Sequence, residues 1–209
     1  MIAGWALLAR LSIERVVADA FHRLRPMVRD HQTLAELPVA DGDVVRVEHV
    51  GGAEQERQLL EIYTERFGPD ERGVLPSGPL HPERIRRYCR LYQPLCFVLR
   101  RADRVVGYAV YRRTWTFTLD RGFVRRMWLQ SIAIAESVER RGIGTALLTS
   151  TLPLVRRGRR DELLLFVEED NPALRLYRRL GFAEVCRIKK RAERSSVLMR
   201  LTPDALPSK

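Results

Sequence analysis

The sequence predicts an α/β fold, and three observations carry that prediction. A strand-like run, Trp128-Leu129-Gln130-Ser131-Ile132-Ala133-Ile134, leads through a glycine-rich turn into an apolar helix that opens at Gly142. A second unit repeats the order: the unbroken apolar run from Leu163 to Val167 passes through Asp170-Asn171-Pro172 into a helix carrying Leu174, Leu176 and Tyr177. Elsewhere, short runs of β-forming residues interleave with segments whose apolar residues recur at helical spacing.

Taken in order, residues 11 to 25 read as an amphipathic helix. Ile13, Val16, Val17, Ala20, Phe21 and Leu24 form one stripe, and Pro26 follows it. That stripe needs a partner surface, either the core domain or a second subunit, so a homodimer is one arrangement it allows. Residues 26 to 43 read as a connector. Val44 to Val50 alternates like a first strand, and a helix follows from Ala53 to Phe67 with Leu59, Leu60, Ile62, Tyr63 and Phe67. From Gly68 to Pro82, three glycines and four prolines mark a loop. A helix is expected from Pro82 to Leu91.

Strands are then expected over Leu95–Leu99 and Val105–Thr116, separated by a turn at Ala102-Asp103. Asp120-Arg121-Gly122 signals a further turn before the strand that ends at Ile134. The Gly142 helix carries Ile143, Ala146, Leu147 and Leu148. Pro153 lies inside its pattern, which predicts a kink or an early end. Leu163–Val167 reads as a buried strand. Ala183–Ile188 and Val197–Leu201 read as the last two, flanking a basic loop with Lys189, Lys190 and Arg191. The expected organisation is an extension over residues 1–43, a core over 44–201 and a loose tail over 202–209.

The chain has 209 residues, 45% of them apolar, enough for one domain with an extension. No apolar run approaches the roughly 18 residues that span a bilayer, so no membrane partner is expected. The start, Met1 to Ala9, is apolar but short and has no basic segment before it. Cys89, Cys96 and Cys186 are odd in number and lack metal-ligand spacing. No metal site is expected, and a reducing, cytoplasmic setting is. The formal net charge is +11, carried almost wholly by arginine. Such charge either attracts polyanions such as ribosomal RNA and acidic substrates, or is spread over solvated helix faces.

The turn Glu139-Arg140-Arg141-Gly142-Ile143-Gly144-Thr145 is the chain's most informative stretch. Glycines let a ligand approach the backbone, and the free N–H groups of a helix's first turn favour a phosphate. Arg140 and Arg141 add two cations. About thirty residues later stands Asp170-Asn171-Pro172-Ala173-Leu174-Arg175-Leu176-Tyr177-Arg178-Arg179-Leu180-Gly181-Phe182. Together, in this order and separation, the two stretches resemble the GNAT N-acetyltransferase superfamily. Its coenzyme A loop reads Gln/Arg-x-x-Gly-x-Gly/Ala, matched here by Gly142 and Gly144. Its later helix often reads Asn-x-x-Ala-x-x-Leu-Tyr-x-x-x-Gly-Phe, matched by Leu176, Tyr177, Gly181 and Phe182. The resemblance is tight from Trp128 to Phe182. It departs at Glu139, which stands where the family has Gln or Arg. The spacing from Asn171 to Tyr177 is one residue short, so Asp170 or Asn171 takes the family's Asn position. Either residue also suits a helix cap before Pro172.

The resemblance implies a mixed central sheet flanked by helices, with acetyl-CoA as co-substrate and a primary amine as acceptor. The acceptor could be a protein amino terminus, ribosomal or other, a lysine side chain, or a small amine. It implies that the Gly142 turn, with Arg140, Arg141, Ile143, Gly144 and Thr145, anchors the pyrophosphate. It also implies that the backbone of Ile132, Ala133 and Ile134 pairs with the pantetheine arm, and that Asn171 contributes to binding. Tyr177 matches the family's general acid, which protonates the leaving thiolate. The core also loosely resembles acetyltransferases of ribosomal-protein amino termini. These have a glutamate where this chain has Phe166, so the base is left open among Glu136, Glu168 and Glu169. Two other readings remain: a non-catalytic acyl-CoA-binding module, and an RNA- or ribosome-associated protein motivated by the charge.

Overall fold

A computed structural model describes residues 33–38, 44–68, 95–118, 122–138, 142–155, 162–189 and 195–201. The expected helices at 11–25 and 82–91, the interior of the 68–82 loop, Cys89, the Asp120-Arg121 turn, Glu139, Arg140, Arg141 and the tail lie outside the described residues.

One eight-stranded sheet organises the chain, in the order β1-β2-β3-β4-β5-β6-β8-β7. Its strands are β1 (Thr33–Pro38), β2 (Val44–His49), β3 (Cys96–Arg101), β4 (Arg104–Thr118), β5 (Gly122–Ile134), β6 (Glu162–Glu168), β7 (Ala183–Lys189) and β8 (Ser195–Leu201). Three α-helices, α1 (Ala53–Phe67), α2 (Ile143–Val155) and α3 (Ala173–Arg179), complete the described fold. The sheet is mixed: β5 and β6 run parallel, and every other neighbouring pair is antiparallel. The strand-to-strand crossover through α2 is what permits that one parallel pair.

The helices divide between the two faces. Gln55 of α1 donates from Nε2 to Glu48 Oε2 at 3.1 Å and accepts the Gly51 N–H at 2.8 Å. This ties α1 to the face that bears Glu48 and, across the register, Val98 and Tyr108. Tyr111 lies three residues beyond Tyr108 on β4 and therefore points to the other face. There its hydroxyl meets Thr151 Oγ1 of α2 at 2.8 Å. Between these layers Val47, Leu59, Phe97, Leu99, Leu147 and Leu148 are fully buried.

Three findings correct the sequence reading. The connector expected over 26–43 contains β1, which pairs with β2 from Thr33 to Pro38. An edge position tolerates Pro38, because a proline cannot donate to a second neighbour. The α2 helix continues two residues past Pro153, to Val155. One missing N–H near a helix end is a small loss beside burying Leu152 and Val155. Finally, Leu163, Leu164, Leu165 and Val167 are buried as expected, but Phe166 is 51% exposed.

Candidate active site

The parallel pair is short. β5 pairs with β6 only from Arg126↔Glu162 to Leu129↔Leu165. Beyond Leu129 the two strands part, while β5 keeps its other neighbour through Ala109↔Ile132, Tyr108↔Ala133 and Gly107↔Ile134. Between Val110↔Ser131 and Tyr111↔Leu129, Gln130 is an extra residue in β5, a bulge that bends the strand where it leaves β6. Among the described residues, one backbone edge of Ile132, Ala133 and Ile134 is thus left without a strand partner, and it borders a cavity of about 830 Å³.

That cavity collects most of the predicted cofactor residues. Ile132, Ala133, Ile134, Gly142, Ile143, Gly144, Thr145, Asn171 and Tyr177 all line it. The turn is built by Gly142, whose φ of +75° lies in the left-handed region. Gly142 accepts the Ala146 N–H at 3.0 Å and so starts the ladder of α2. The N–H groups of Ile143, Gly144 and Thr145 precede that first bond and are unused by the helix. A Cβ built on Gly142 would meet nothing within 4 Å, and one on Gly144 only Ile134 Cγ1 at 3.7 Å. Among the described residues, the space around Gly142 is open and that around Gly144 meets only Ile134, which fits an incoming phosphate group.

Asn171 stands at the start of α3 and at the cavity wall. Its Oδ1 accepts the Ala173 N–H at 2.9 Å, its carbonyl accepts the Leu174 N–H at 3.0 Å, and it lines the cavity. Asp170 lies in the preceding turn and does not line the cavity.

Tyr177 is held by the end of its own helix. Phe182 N–H donates to Tyr177 O at 3.0 Å and Gly181 N–H to Arg178 O at 3.0 Å, the two bonds of a Schellman ending. Gly181 supplies the required left-handed residue at φ +88°. The ending folds Phe182 back onto Tyr177, ring centroids 5.7 Å apart and edge to face. The spacing Tyr-x-x-x-Gly-Phe is thus a positioning device for the tyrosine. Replacing Gly181 with alanine forces a Cβ into the left-handed region at a cost of about 1–2 kcal/mol. Urea unfolding is expected to show that loss, and turnover to fall with it as Tyr177 loosens.

The Tyr177 side chain is buried, and burial pushes its phenol from 10.0 up to about 12. Its charge is also felt by Tyr111, a fully buried phenol that burial itself raises. Both phenols are therefore neutral donors throughout the physiological range.

The three carboxylates weighed as bases do not reach this cavity. Glu136 is exposed and pairs with Arg66 Nη1 at 3.5 Å, and Glu169 pairs with Arg187 Nη1 at 2.6 Å. Glu168 ends β6 and is absent from the lining, as are the other two. Sequence reasoning missed Arg66 and Phe67, which the end of α1 brings to the lining, and also Val138, Leu176 and Arg179. For Arg179 a signal existed, since it lies two residues after Tyr177 on the motif helix. For Arg66 and Phe67 there was none, because α1 reaches the cavity only through tertiary packing.

Comparison with known proteins agrees with this geometry. The Acetyltransferase (GNAT) family is matched over residues 57–182. An N-alpha-acetyltransferase of Sulfurisphaera tokodaii is 36% identical over 99 residues, covering 45% of this chain and 59% of that relative. The structure of the NatC complex bound to Gag peptide and CoA shares the fold, with TM-score 0.61 and 17% identity over 76% of this chain and 98% of that one. Arabidopsis thaliana Naa50, in complex with the bisubstrate analogue CoA-Ac-MVNAL, shares it too, with TM-score 0.55 and 16% identity over 74% and 97% of the two chains. A mixed sheet that opens beside a glycine turn, together with a family match that runs from within α1 through β3, β4, β5, β6 and α3 and covers more than half of the chain, places the chain in the Acetyltransferase (GNAT) family.

Proposed function

We propose that the acceptor is the α-amino group of a protein or peptide amino terminus. The observation that carries the reading is the convergence of three elements on one cavity: the open β5 edge, the Gly142 turn and the buried Tyr177. The N-alpha-acetyltransferase relative supports the choice of acceptor, as do neighbours solved with a peptide or a peptide-bearing bisubstrate analogue. In this reading the N–H groups of Ile143, Gly144 and Thr145 hold the pyrophosphate, with Arg140 and Arg141 adding charge. The backbone of Ile132, Ala133 and Ile134 pairs with the pantetheine arm as an added strand would. Asn171 borders the same arm. A backbone N–H of this edge polarises the thioester oxygen.

The neutral amine attacks the thioester carbon, the carbon–sulfur bond breaks, the Tyr177 hydroxyl gives its proton to the departing sulfur, and the proton that the nitrogen sheds on becoming an amide returns the phenolate to its neutral form by way of solvent. No carboxylate lines the cavity among the described residues, so the reading relies on an amine already neutral when it arrives. An α-amine suits this, because it loses its proton near pH 8, about two units below a lysine.

The test is a pH profile of kcat/KM on a peptide with a free amino terminus and no lysine, beside one with a blocked terminus and one lysine. The first is expected to turn over, with a rate that is half-maximal near pH 8 and levels off about one unit above it. No falling limb from Tyr177 is expected below pH 10, because its phenol is raised from 10.0 to about 12. Preferred turnover of the blocked, lysine-containing peptide overturns the acceptor assignment.

A further inference from the structure

A second surface borders the parting of β5 and β6, on the face that carries α1. One cross-strand row runs Arg112 (β4), Trp128 (β5), Leu164 (β6) and Arg200 (β8), each directly opposite the next. Phe166, two residues along β6 on the same face, is the first residue of that strand whose place opposite β5 is unfilled. Its ring stacks on Trp128 at 5.5 Å and 20°, and about half its surface is exposed. Trp128 is pinned from below by its Nε1–H, which donates to Thr114 Oγ1 at 3.1 Å. The result is a fixed aromatic shelf at the mouth of the split.

Charge on this shelf is unbalanced. Arg126 Nε and Arg200 Nη1 share one carboxylate, Glu162, at 3.3 and 3.8 Å. Arg112 pairs with no carboxylate among the described residues, and the Nε atoms of Arg112 and Arg200 are buried without an acceptor. Among the described residues, Arg126 and Arg200 thus share the Glu162 carboxylate while Arg112 has none. A buried donor without an acceptor is costly and is relieved by an anion. Strand spacing puts the two ends of the row about 14 Å apart, the reach of four or five extended residues.

We propose that this row is the seat of the acceptor chain just behind its reacting amine, and that it selects amino-terminal segments rich in aspartate and glutamate. The aromatic shelf supports the peptide backbone and its apolar side chains, while Arg112 and Arg200 take carboxylates at either end. The inference rests on the amino-terminal acceptor proposed above and adds to it a substrate class. An acidic peptide fits better than a nucleic acid because the row lies beside Phe166, where β6 parts from β5, and the proposed reaction needs an amine, which a phosphodiester chain does not offer.

The experiment uses the full chain and three peptides that share their first residue and differ in the next four: acidic, neutral amide or hydroxyl, and basic. The acidic peptide is expected to exceed the neutral one about tenfold in kcat/KM, mainly through KM, and the advantage to shrink with added salt. Arg112→Gln with Arg200→Gln keeps side-chain bulk and is expected to remove the preference while the neutral peptide reacts as before. Equal rates on all three peptides, or a preference that survives in the double variant, overturns the inference and leaves the amino-terminal reading standing. Acetyl-CoA binding without acetylation of any peptide overturns both. If polyuridylate binding depends on Arg112 and Arg200 while the peptide preference does not, the patch is a nucleic-acid seat and the inference falls. The salt dependence on the unaltered chain tests the same point should the double variant fail to fold.

Discussion

Tyr177→Phe is expected to lower turnover by about 10²–10⁴-fold while leaving acetyl-CoA affinity and thermal stability nearly unchanged. The hydroxyl has no hydrogen-bond partner among the described residues, whereas the ring packs on Phe182 at 5.7 Å within the Schellman ending of α3. Removing the oxygen therefore takes away a proton donor without taking away a structural contact. Because the residue borders the cavity and its hydroxyl holds no neighbour among the described residues, the variant is expected to melt at nearly the same temperature. The loss is expected across different acceptor amines, since the leaving thiolate is common to all of them. Single-turnover rates read the chemical step directly, and a wild-type rate there would reduce Tyr177 to a packing residue. A stability check runs alongside. Burial raises the phenol from 10.0 to about 12, so folding favours the neutral form. That contribution is whole below pH 10 and is lost as the pH climbs through 12. Tyr177→Phe is expected to remove this component of alkaline destabilisation.

Gly144→Val is expected to weaken acetyl-CoA binding by about 10- to 100-fold, the equivalent of losing one or two charge-assisted hydrogen bonds. The geometry makes this a clean test. A Cβ at Gly144 meets only Ile134 Cγ1, at an ordinary 3.7 Å, so the folded chain accommodates the start of a side chain. The branched methyls then enter the space in front of the α2 N–H groups, where the phosphates are proposed to lie. Titration calorimetry with acetyl-CoA, with a melting curve to confirm folding, measures the effect. Unchanged affinity in a folded variant would move the pyrophosphate away from this turn. The same position in Gly142 is a poorer probe, because φ +75° makes any side chain there strained for reasons unrelated to the ligand.

What could be read from the sequence was what is decided within a few residues. The glycine at φ +75°, the helix it opens, the Asn171 cap and the Tyr-x-x-x-Gly-Phe ending are local hydrogen-bonding patterns, and each leaves a trace in residue type and spacing. Strand and helix placement followed from apolar periodicity for the same reason. The α1 helix was legible to the residue, from Ala53 to Phe67.

Only the tertiary structure decided how those pieces face one another. That β5 and β6 pair through four residues and then part depends on the bulge at Gln130 and on strands distant in the chain, so no single segment announces the cavity. Arg66 and Phe67 reach its lining because α1 docks on the Glu48 face, a matter of packing between elements. Strand β1 pairs despite a sequence that reads as a connector, because an edge position asks for only one set of backbone bonds and admits Pro38. Arg112, Trp128 and Arg200 lie far apart in the chain and meet in one row only through sheet register, which is fixed by which apolar faces are buried together. Local chemistry was written in the sequence, whereas the juxtaposition of distant elements was settled by the burial of the core.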